Sequence, residues 1–300
     1  MTAASLVSAL PHYTSLRTRL WLFLVSGVVV LLLFPVEAWK VAVGGWVGLP
    51  VMVLLAVFLA ALACEYVDSS MGMGYGTTLT PLLLLAGFAP LQIVPAVLLS
   101  ELVTGLAAGL LHQHDGNVDF LHDPRARRTV LLLGSLSGVG ALLAVWLALS
   151  VSRFWLGVLI SGIVLAMGVV ILATRRRQIP YRAGGIVAVG AVAAFNKGLS
   201  GGGYGPLVTA GQVVSGLPAR QAVAITSLAE SLTCLIGVAG YVAAGQSIYW
   251  ALALPMTLGA LLSVPMATHT VRQTSETTLR GLVGAVTLIL GVVAGLKLVF

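Results

Sequence analysis

The chain has 300 residues, of which 59% are hydrophobic and only 8% are charged, and its mean hydropathy is +1.05. A water-soluble fold cannot cover that much apolar side chain and still present a solvated surface. The formal net charge of +7 comes from basic residues at the ends of apolar segments, so it does not indicate nucleic-acid binding. The composition predicts an integral membrane protein that resides in lipid.

Apolar segments recur along the whole chain as continuous runs, which are typical of membrane helices and differ from the alternating pattern of barrel strands. We predict helical elements at 20–36, 46–67, 76–88, 91–112, 129–149, 154–174, 183–197, 205–216, 218–243, 248–268 and 280–299. The segments 76–88 and 205–216 are too short for a full crossing at about 1.5 Å per residue, so they either cross partly or are re-entrant. We interpret 20–36 as an uncleaved anchor, with a signal peptide as the alternative.

The basic residues mark the loops that we expect in the cytoplasm, because cytoplasmic loops carry an excess of Lys and Arg. They are Arg17, Arg19, Arg125, Arg127, Arg128, Arg175, Arg176, Arg177, Arg182, Arg272 and Arg280. This distribution predicts a cytoplasmic N-terminus. The two cysteines, Cys64 and Cys234, lie within apolar runs and are expected to be small core residues.

The chain is duplicated. A shift of 129 residues aligns 72–106 with 201–235 without a gap, and 12 of the 35 positions are identical, whereas composition alone would give about three. The matches are Gly72/Gly201, Gly74/Gly203, Tyr75/Tyr204, Gly76/Gly205, Thr80/Thr209, Gly87/Gly216, Gln92/Gln221, Val94/Val223, Leu99/Leu228, Glu101/Glu230, Thr104/Thr233 and Leu106/Leu235. With the basic loops inside, the two copies begin on opposite sides of the membrane.

The sequence therefore predicts an all-α polytopic fold built as an inverted repeat. Residues 1–45 form an N-terminal helix and loop, 46–174 form the first five-helix half, and 183–299 form the second. Inverted repeats with broken helices are typical of secondary transporters, whose substrate lies near the bilayer midplane between the halves.

Glycine-rich tips interrupt both halves, as "YVDSSMGMGYG" at 66–76 and "FNKGLSGGGYG" at 195–205. Glycine permits a sharp turn, and the exposed amides of the following helix form an anion site. We predict substrate-binding residues at Gly74, Tyr75, Gln92, Asn196, Lys197, Ser200, Gly202, Gly203, Tyr204 and Gln221. Lys197 is the repeat equivalent of Asp68, so it either attracts the anion, pairs with Asp68 or extends to the membrane interface.

Glu101 and Glu230 lie about 15 Å along their helices, near the bilayer centre. Intramembrane carboxylates are typical of proton relays, so we assign proton coupling or gating to Glu101, Glu230 and Asp68. The alternative is a protonated Glu that hydrogen-bonds to a neighbouring helix. His112, His114 and Asp115 resemble a metal cluster by residue type alone, and we expect a solvated turn there, without a metal or other cofactor.

The "GxGGG/GYG" tip, "TSLAESL" at 226–232 and "GNVDF" at 116–120 resemble the TauE/SafE family of sulfite exporters, over about residues 50–298. The resemblance implies transport of sulfur anions such as sulfite, thiosulfate or organosulfonates across a prokaryotic inner membrane. The chain departs from many relatives at Pro95-Ala96-Val97-Leu98, where they carry a "GTNK"-like stretch. The departure removes a polar contact and a positive charge, so the substrate itself stays open.

Two other classes are alternatives. The repeated "GYG" is found in potassium-channel filters, but those need a preceding Thr-Val and four-fold assembly. "GLSG" at 198–201 matches the serine motif of rhomboid proteases, with His269 as the partner, yet the first half has Met71 in place of Ser200. We therefore expect a transporter and no enzyme. The direction, the coupling ion and the oligomeric state, with a homodimer as one option, stay open.

Overall fold

The computed structural model describes residues 49–147 and 204–296, and single residues or short runs between 162 and 193. All of them belong to the unit Val41–Phe300. Eight helices lie in the two long described ranges: α1 Val51–Met71, α2 Tyr75–Leu85, α3 Pro90–His114, α4 Pro124–Leu147, α5 Tyr204–Val214, α6 Ala219–Ala243, α7 Trp250–Gln273 and α8 Glu276–Leu296. No strand occurs in these ranges, which confirms the all-α class.

Five of the described helices are long and apolar enough to cross a membrane. They are Val51–Met71, Gln92–His114, Ala219–Ala243, Trp250–Gln273 and Glu276–Val293. The predicted multi-pass membrane protein is thereby supported. The predicted N-terminal helix at 20–36 and most of the predicted segments 154–174 and 183–197 lie outside the described residues.

α1 ends later than predicted. Its last residue is Met71, whereas the sequence pattern placed the end at 67. The polar residues after position 67 remain helical because their hydroxyls bond within the helix: Ser69 Oγ donates to Glu65 at 2.6 Å and Ser70 Oγ donates to the Val67 carbonyl at 3.2 Å. The helix stops at Gly72, which adopts a left-handed conformation with φ +70°.

α2 and α5 are the short elements. Each has 11 residues, a length of about 16 Å, which is roughly half of the hydrocarbon core. Each is followed by a glycine at positive φ, Gly87 at 91° and Gly216 at 92°, so that the chain turns directly into α3 or α6. The predicted bounds of these two elements differ from the observed ones by one to three residues.

The bundle is packed through small residues. Among the described elements, α1 packs most extensively on α7, and α3 packs on both α6 and α7. At the α3–α6 crossing, a Cβ on Gly105 would lie 2.6 Å from the Ser227 carbonyl oxygen, so only glycine permits this approach. Close backbone contact of this kind is how helices associate in lipid. The crossing positions Glu101 and Glu230 on facing helices.

Candidate functional site

Four carboxyl groups surround a small internal cavity between α1, α3 and α6. Glu65 and Asp68 come from α1, Glu101 from α3 and Glu230 from α6, and all four residues are buried, with at most 8% of their surface exposed. The cavity has a volume of about 10 Å³, which is room for about one water molecule. Its remaining lining is formed by Thr104, Gly105 and Ser227.

Glu65 is a residue of this site that the sequence pattern does not reveal. Its carboxylate accepts hydrogen bonds from Ser69 Oγ at 2.6 Å and from Thr104 Oγ1 at 3.1 Å, so both oxygens are held. Glu65 has no acidic counterpart in the second repeat, where the equivalent position is Ala194. A comparison of the repeats therefore could not find it, whereas its position three residues before Asp68 on one helix would have indicated a shared face.

Two of the carboxylates bind the first amides of α2. Asp68 Oδ1 accepts the Tyr75 N–H at 3.2 Å, and Glu101 Oε1 accepts the Gly76 N–H at 3.1 Å. The amides at a helix N-terminus have no partner within the helix and favour negative charge. The protein's own acidic groups therefore occupy the place that the sequence analysis assigned to an anion.

Side-chain contacts hold the Tyr75–Glu101 part of the site in place. The Tyr75 hydroxyl, fully buried, lies 2.7 Å from Ser100 Oγ. Cys234 on α6 donates from Sγ to Glu101 Oε2 at 3.4 Å, which links the second half of the chain to the carboxylate of the first. Cys64 and Cys234 are both buried free thiols, as expected from the sequence.

The helix break in the first half contacts the start of α5 in the second. Thr209 Oγ1 donates to the Gly72 carbonyl at 2.7 Å and lies 2.8 Å from Thr226 Oγ1. A Cβ on Gly205 would lie 2.5 Å from the same Gly72 oxygen. The first turn of α5 therefore rests directly on the Gly72–Gly74 break, close to the carboxylates.

The expected solvated turn around His112 is wrong. His112 is fully buried, and its Nε2 donates to the Ser69 carbonyl at 3.0 Å. Asn117 Nδ2 donates to His112 Nδ1 at 3.0 Å and lies 2.9 Å from the Thr268 carbonyl. The C-terminal carbonyls of a helix need hydrogen-bond donors from outside the helix. His112 provides such a donor for the last turn of α1, just before the break at Gly72. No group of three metal-ligating side chains occurs in the part of the chain that is described.

The turn after His112 reaches the surface at Asp119. Its carboxylate accepts the His122 backbone N–H at 2.9 Å, and this hydrogen bond lowers the pKa of Asp119 below its usual value. The side chain of His122 is itself 3.1 Å from Asp119 Oδ2. Within the "GNVDF" segment, Asn117 and Val118 are therefore buried, whereas Asp119 and Phe120 are half-buried.

Several predicted site residues do not join the cavity. Gln92 caps its own helix by accepting the Ala89 N–H at 3.0 Å, and Gln221 is half-buried at the start of α6; neither lines the cavity. Tyr204 is buried at the first position of α5. Asn196, Lys197, Ser200, Gly202 and Gly203 lie outside the described residues.

A helical, multi-pass membrane protein with buried carboxylates at a helix break has the character of a membrane transporter. The chain belongs to the sulfite exporter TauE/SafE family, whose profile matches residues 56–294. It is similar to the Probable membrane transporter protein YtnM of Bacillus subtilis (strain 168), with 26% identity over 232 residues that cover 73% of this chain and 75% of that protein. No solved structure matches the chain. The family resemblance read from the tip motifs is confirmed, and the protein is a transporter and not an enzyme.

Proposed function

We propose that the protein is a secondary transporter that moves a small anion, of the class of sulfite, thiosulfate or an organosulfonate, together with protons. The observation that carries the proposal is the pair of hydrogen bonds from the first amides of α2 to Asp68 and Glu101. An anion that is to bind at these amides must first displace negative charge that belongs to the protein. Protons can remove that charge.

The coupling follows from competition between the carboxylates and the substrate. Four carboxyl groups around a cavity of about 10 Å³ repel one another strongly when ionised, because the buried site screens charge poorly. Proton uptake by Asp68 or Glu101 weakens its hold on the α2 amides and removes the charge that repels an incoming anion. Anion and proton then bind together and leave together, which is symport.

We propose that Lys197 supplies the positive charge of the same site. It is the repeat equivalent of Asp68 and belongs to the glycine-rich tip that precedes α5. Since the described start of α5 rests on the Gly72–Gly74 break, we assign the charge of Lys197, seven residues before Tyr204 in the sequence, to the neighbourhood of the carboxylates. Asn196, Ser200, Gly202 and Gly203 belong to the same proposed anion site.

The inverted repeat is the architecture that we propose for this mechanism, and the helix contacts support it. A two-fold axis that exchanges α3 with α6 and α4 with α7 would also exchange the contact α3–α7 with α6–α4, and both contacts are observed. α1 packs on α7, and a Cβ on Gly190, which belongs to the predicted counterpart of α1, would lie 2.6 Å from Leu133 of α4.

Cysteine labelling tests the inverted topology in the prokaryotic inner membrane, with the N-terminus in the cytoplasm. Ala89 and Pro218 are equivalent under the 129-residue shift, and both are exposed N-caps, of α3 and α6 respectively. We expect an impermeant maleimide to label the Ala89→Cys variant in intact cells and the Pro218→Cys variant only after permeabilisation. The wild-type protein, whose cysteines Cys64 and Cys234 are both buried, measures the background labelling. Labelling of both variants from the same side contradicts an inverted repeat.

Flux measurements in liposomes test the transport reaction itself. Thiosulfate is a suitable substrate because it stays a dianion around neutral pH and does not cross lipid as a neutral acid. We expect an inward proton gradient to drive accumulation of thiosulfate above its external concentration, with acidification of the lumen, and a protonophore to abolish both. Protein-free liposomes are the control. Uptake that follows only the membrane potential and ignores the pH gradient would identify a channel and reject the proposal.

A further inference from the structure

A buried arginine lies on α8, away from the carboxylate cavity. The buried residues of α8 include Leu279, Arg280, Val283 and Thr287, and Arg280 has only 7% of its surface exposed. Its Nε and Nη2 atoms are buried, and neither has a hydrogen-bond partner within the described part of the chain. Buried guanidinium groups are normally paired, because an unpaired charge in the interior is costly. The Arg280 guanidinium, with these two nitrogens unpartnered in the described structure, is therefore available to bind a ligand.

The acidic residue nearest to Arg280 in the sequence, Glu276, hydrogen-bonds to α6 and forms no ion pair with Arg280 in the described structure. Glu276 lies one helical turn before Arg280, a spacing that commonly allows an ion pair. Its Oε1 instead accepts the Ala219 N–H of α6 at 2.7 Å. No ion pair of Arg280 with a described carboxylate is observed.

A second arginine stands at the same junction. Arg220 follows Ala219 on α6, donates from Nη2 to the Thr274 carbonyl just before α8, and has a buried Nε without a partner in the described ranges. The starts of α6 and α8 are therefore joined by the Ala219–Glu276 and Arg220–Thr274 hydrogen bonds, and each start carries an arginine with a buried nitrogen that has no partner among the described residues. The fork of an arginine matches the oxygens of an oxyanion.

The face of α8 that carries Arg280 leads to the helix break. Thr287, seven residues further on, contacts Met73 Sδ through its Oγ1 at 3.4 Å. Seven residues of helix span about 10 Å, so Arg280 lies about two turns from the Gly72–Gly74 break, toward the end of the bundle where α6 and α8 begin. This end is the one that the basic residues assign to the cytoplasm.

We propose that Arg280, together with Arg220, binds a small oxyanion at the junction of α6 and α8, as a second site for the transported anion between the cytoplasm and the helix break. The assignment of the bound oxyanion as the transported one rests on the proposed function. A lipid phosphate is the other source of this chemistry. An open groove lies along a different face of α8, where it is lined by Thr277, Thr278 and Gly281 together with Arg176. A lipid headgroup in that groove would not contact the buried face of α8.

Thermal unfolding of the purified full-length protein tests the site. Sodium thiosulfate is compared with sodium chloride at equal ionic strength, for the wild type and for Arg280→Gln. The matched control is Arg127→Gln, which removes an exposed arginine of α4. We expect thiosulfate to raise the Tm of the wild type and of the control, and the apparent Kd to weaken about tenfold or more in Arg280→Gln, because a charge-assisted bond is lost. Arg280→Lys keeps the charge without the fork and should give an intermediate Kd, and it serves as the test if the Gln variant does not fold.

The result that overturns the site is an Arg280→Gln protein that responds to thiosulfate as the wild type does, or a wild type that does not respond at all. Vesicles of phosphatidylcholine with and without phosphatidylglycerol form the second arm. Stabilisation by phosphatidylglycerol that depends on Arg280, without any response to thiosulfate, also overturns the proposal. If thiosulfate binding depends on Arg280 but the protein transports no anion, the binding site is supported and the proposed function is rejected. If Arg280→Gln transports thiosulfate with an unchanged KM, the proposed function is supported and the binding site is rejected.

Discussion

Replacing Gly72 by alanine is expected to lower the stability of the protein by about 3 kcal/mol. Gly72 has φ +70°, where an alanine is strained by about 1–2 kcal/mol. The new Cβ would also overlap Thr209 Oγ1 and lie 3.1 Å from Thr209 Cγ2. Thr209 is β-branched and cannot move aside without losing its bond to the Gly72 carbonyl, which adds about 1 kcal/mol.

Gly116→Ala is the matched control for the backbone strain. Gly116 has φ +73°, and a Cβ there would meet no atom within 4 Å, so that variant carries the strain alone. The difference in Tm between the two variants then measures the contact between the break and α5. The double variant Gly72→Ala with Thr209→Ala should be more stable than the sum of the single effects, because the overlap is removed. Equal Tm values for Gly72→Ala and Gly116→Ala would show that the new Cβ at position 72 causes no steric conflict with Thr209 of α5.

The short helices could be predicted because glycines in the sequence mark where they begin and end. Glycines at 72, 74, 87 and 216 need or permit positive φ, and such positions interrupt apolar runs visibly. The last turn of α1 could not be predicted in the same way. Asp68, Ser69 and Ser70 are residues that commonly favour turns. Here the two serine hydroxyls bond within the helix, and Asp68 accepts the Tyr75 N–H of α2.

The carboxylate site could be predicted only in part. Glu101 and Glu230 stand out because both repeats carry them, and Asp68 stands out as the counterpart of Lys197. Glu65 is present in one repeat only, and its burial depends on α3, whose Thr104 bonds to it. The sequence predicts a solvated His112 because this residue stands at the end of a predicted helix. Its burial depends on the Ser69 carbonyl, 43 residues earlier in the chain, which needs a donor at the helix break.

The carboxylates of the cavity are expected to differ in their importance for proton coupling. The first half contributes Glu65, Asp68 and Glu101, whereas the second contributes Glu230 and, by sequence, has Lys197 in place of Asp68. A lysine favours the ionised form of whichever carboxyl group lies nearer, so the other groups are left to carry the proton. The duplication therefore produces equivalent positions with unequal charge surroundings.

Glu→Gln substitutions at 65, 101 and 230 separate these roles, because glutamine keeps the shape and the Oε1 acceptor and removes the titration. At position 101 the Oε1 bond to the Gly76 N–H can persist in the variant. The matched control is Asp123→Asn, whose Oδ1 accepts the Arg125 N–H outside the cavity and away from the α6–α8 junction. We expect one of Glu101→Gln and Glu230→Gln to reduce pH-driven thiosulfate flux to the level of protein-free liposomes and the other to alter it mildly, and Asp123→Asn to transport as the wild type does.

Glu65→Gln distinguishes a proton carrier from a positioning residue in the same assay. Both Glu65 oxygens accept hydroxyl donors, from Ser69 and Thr104, and a glutamine amide would force one of these hydroxyls to turn away. If Glu65 only positions its neighbours, Glu65→Gln should lower the flux at every pH by the same factor, whereas a carrier should shift the pH at which flux is half-maximal. Wild-type pH dependence in all three cavity variants would remove the carboxylates from the coupling, and the competition at the α2 amides would then have to be driven by the anion alone.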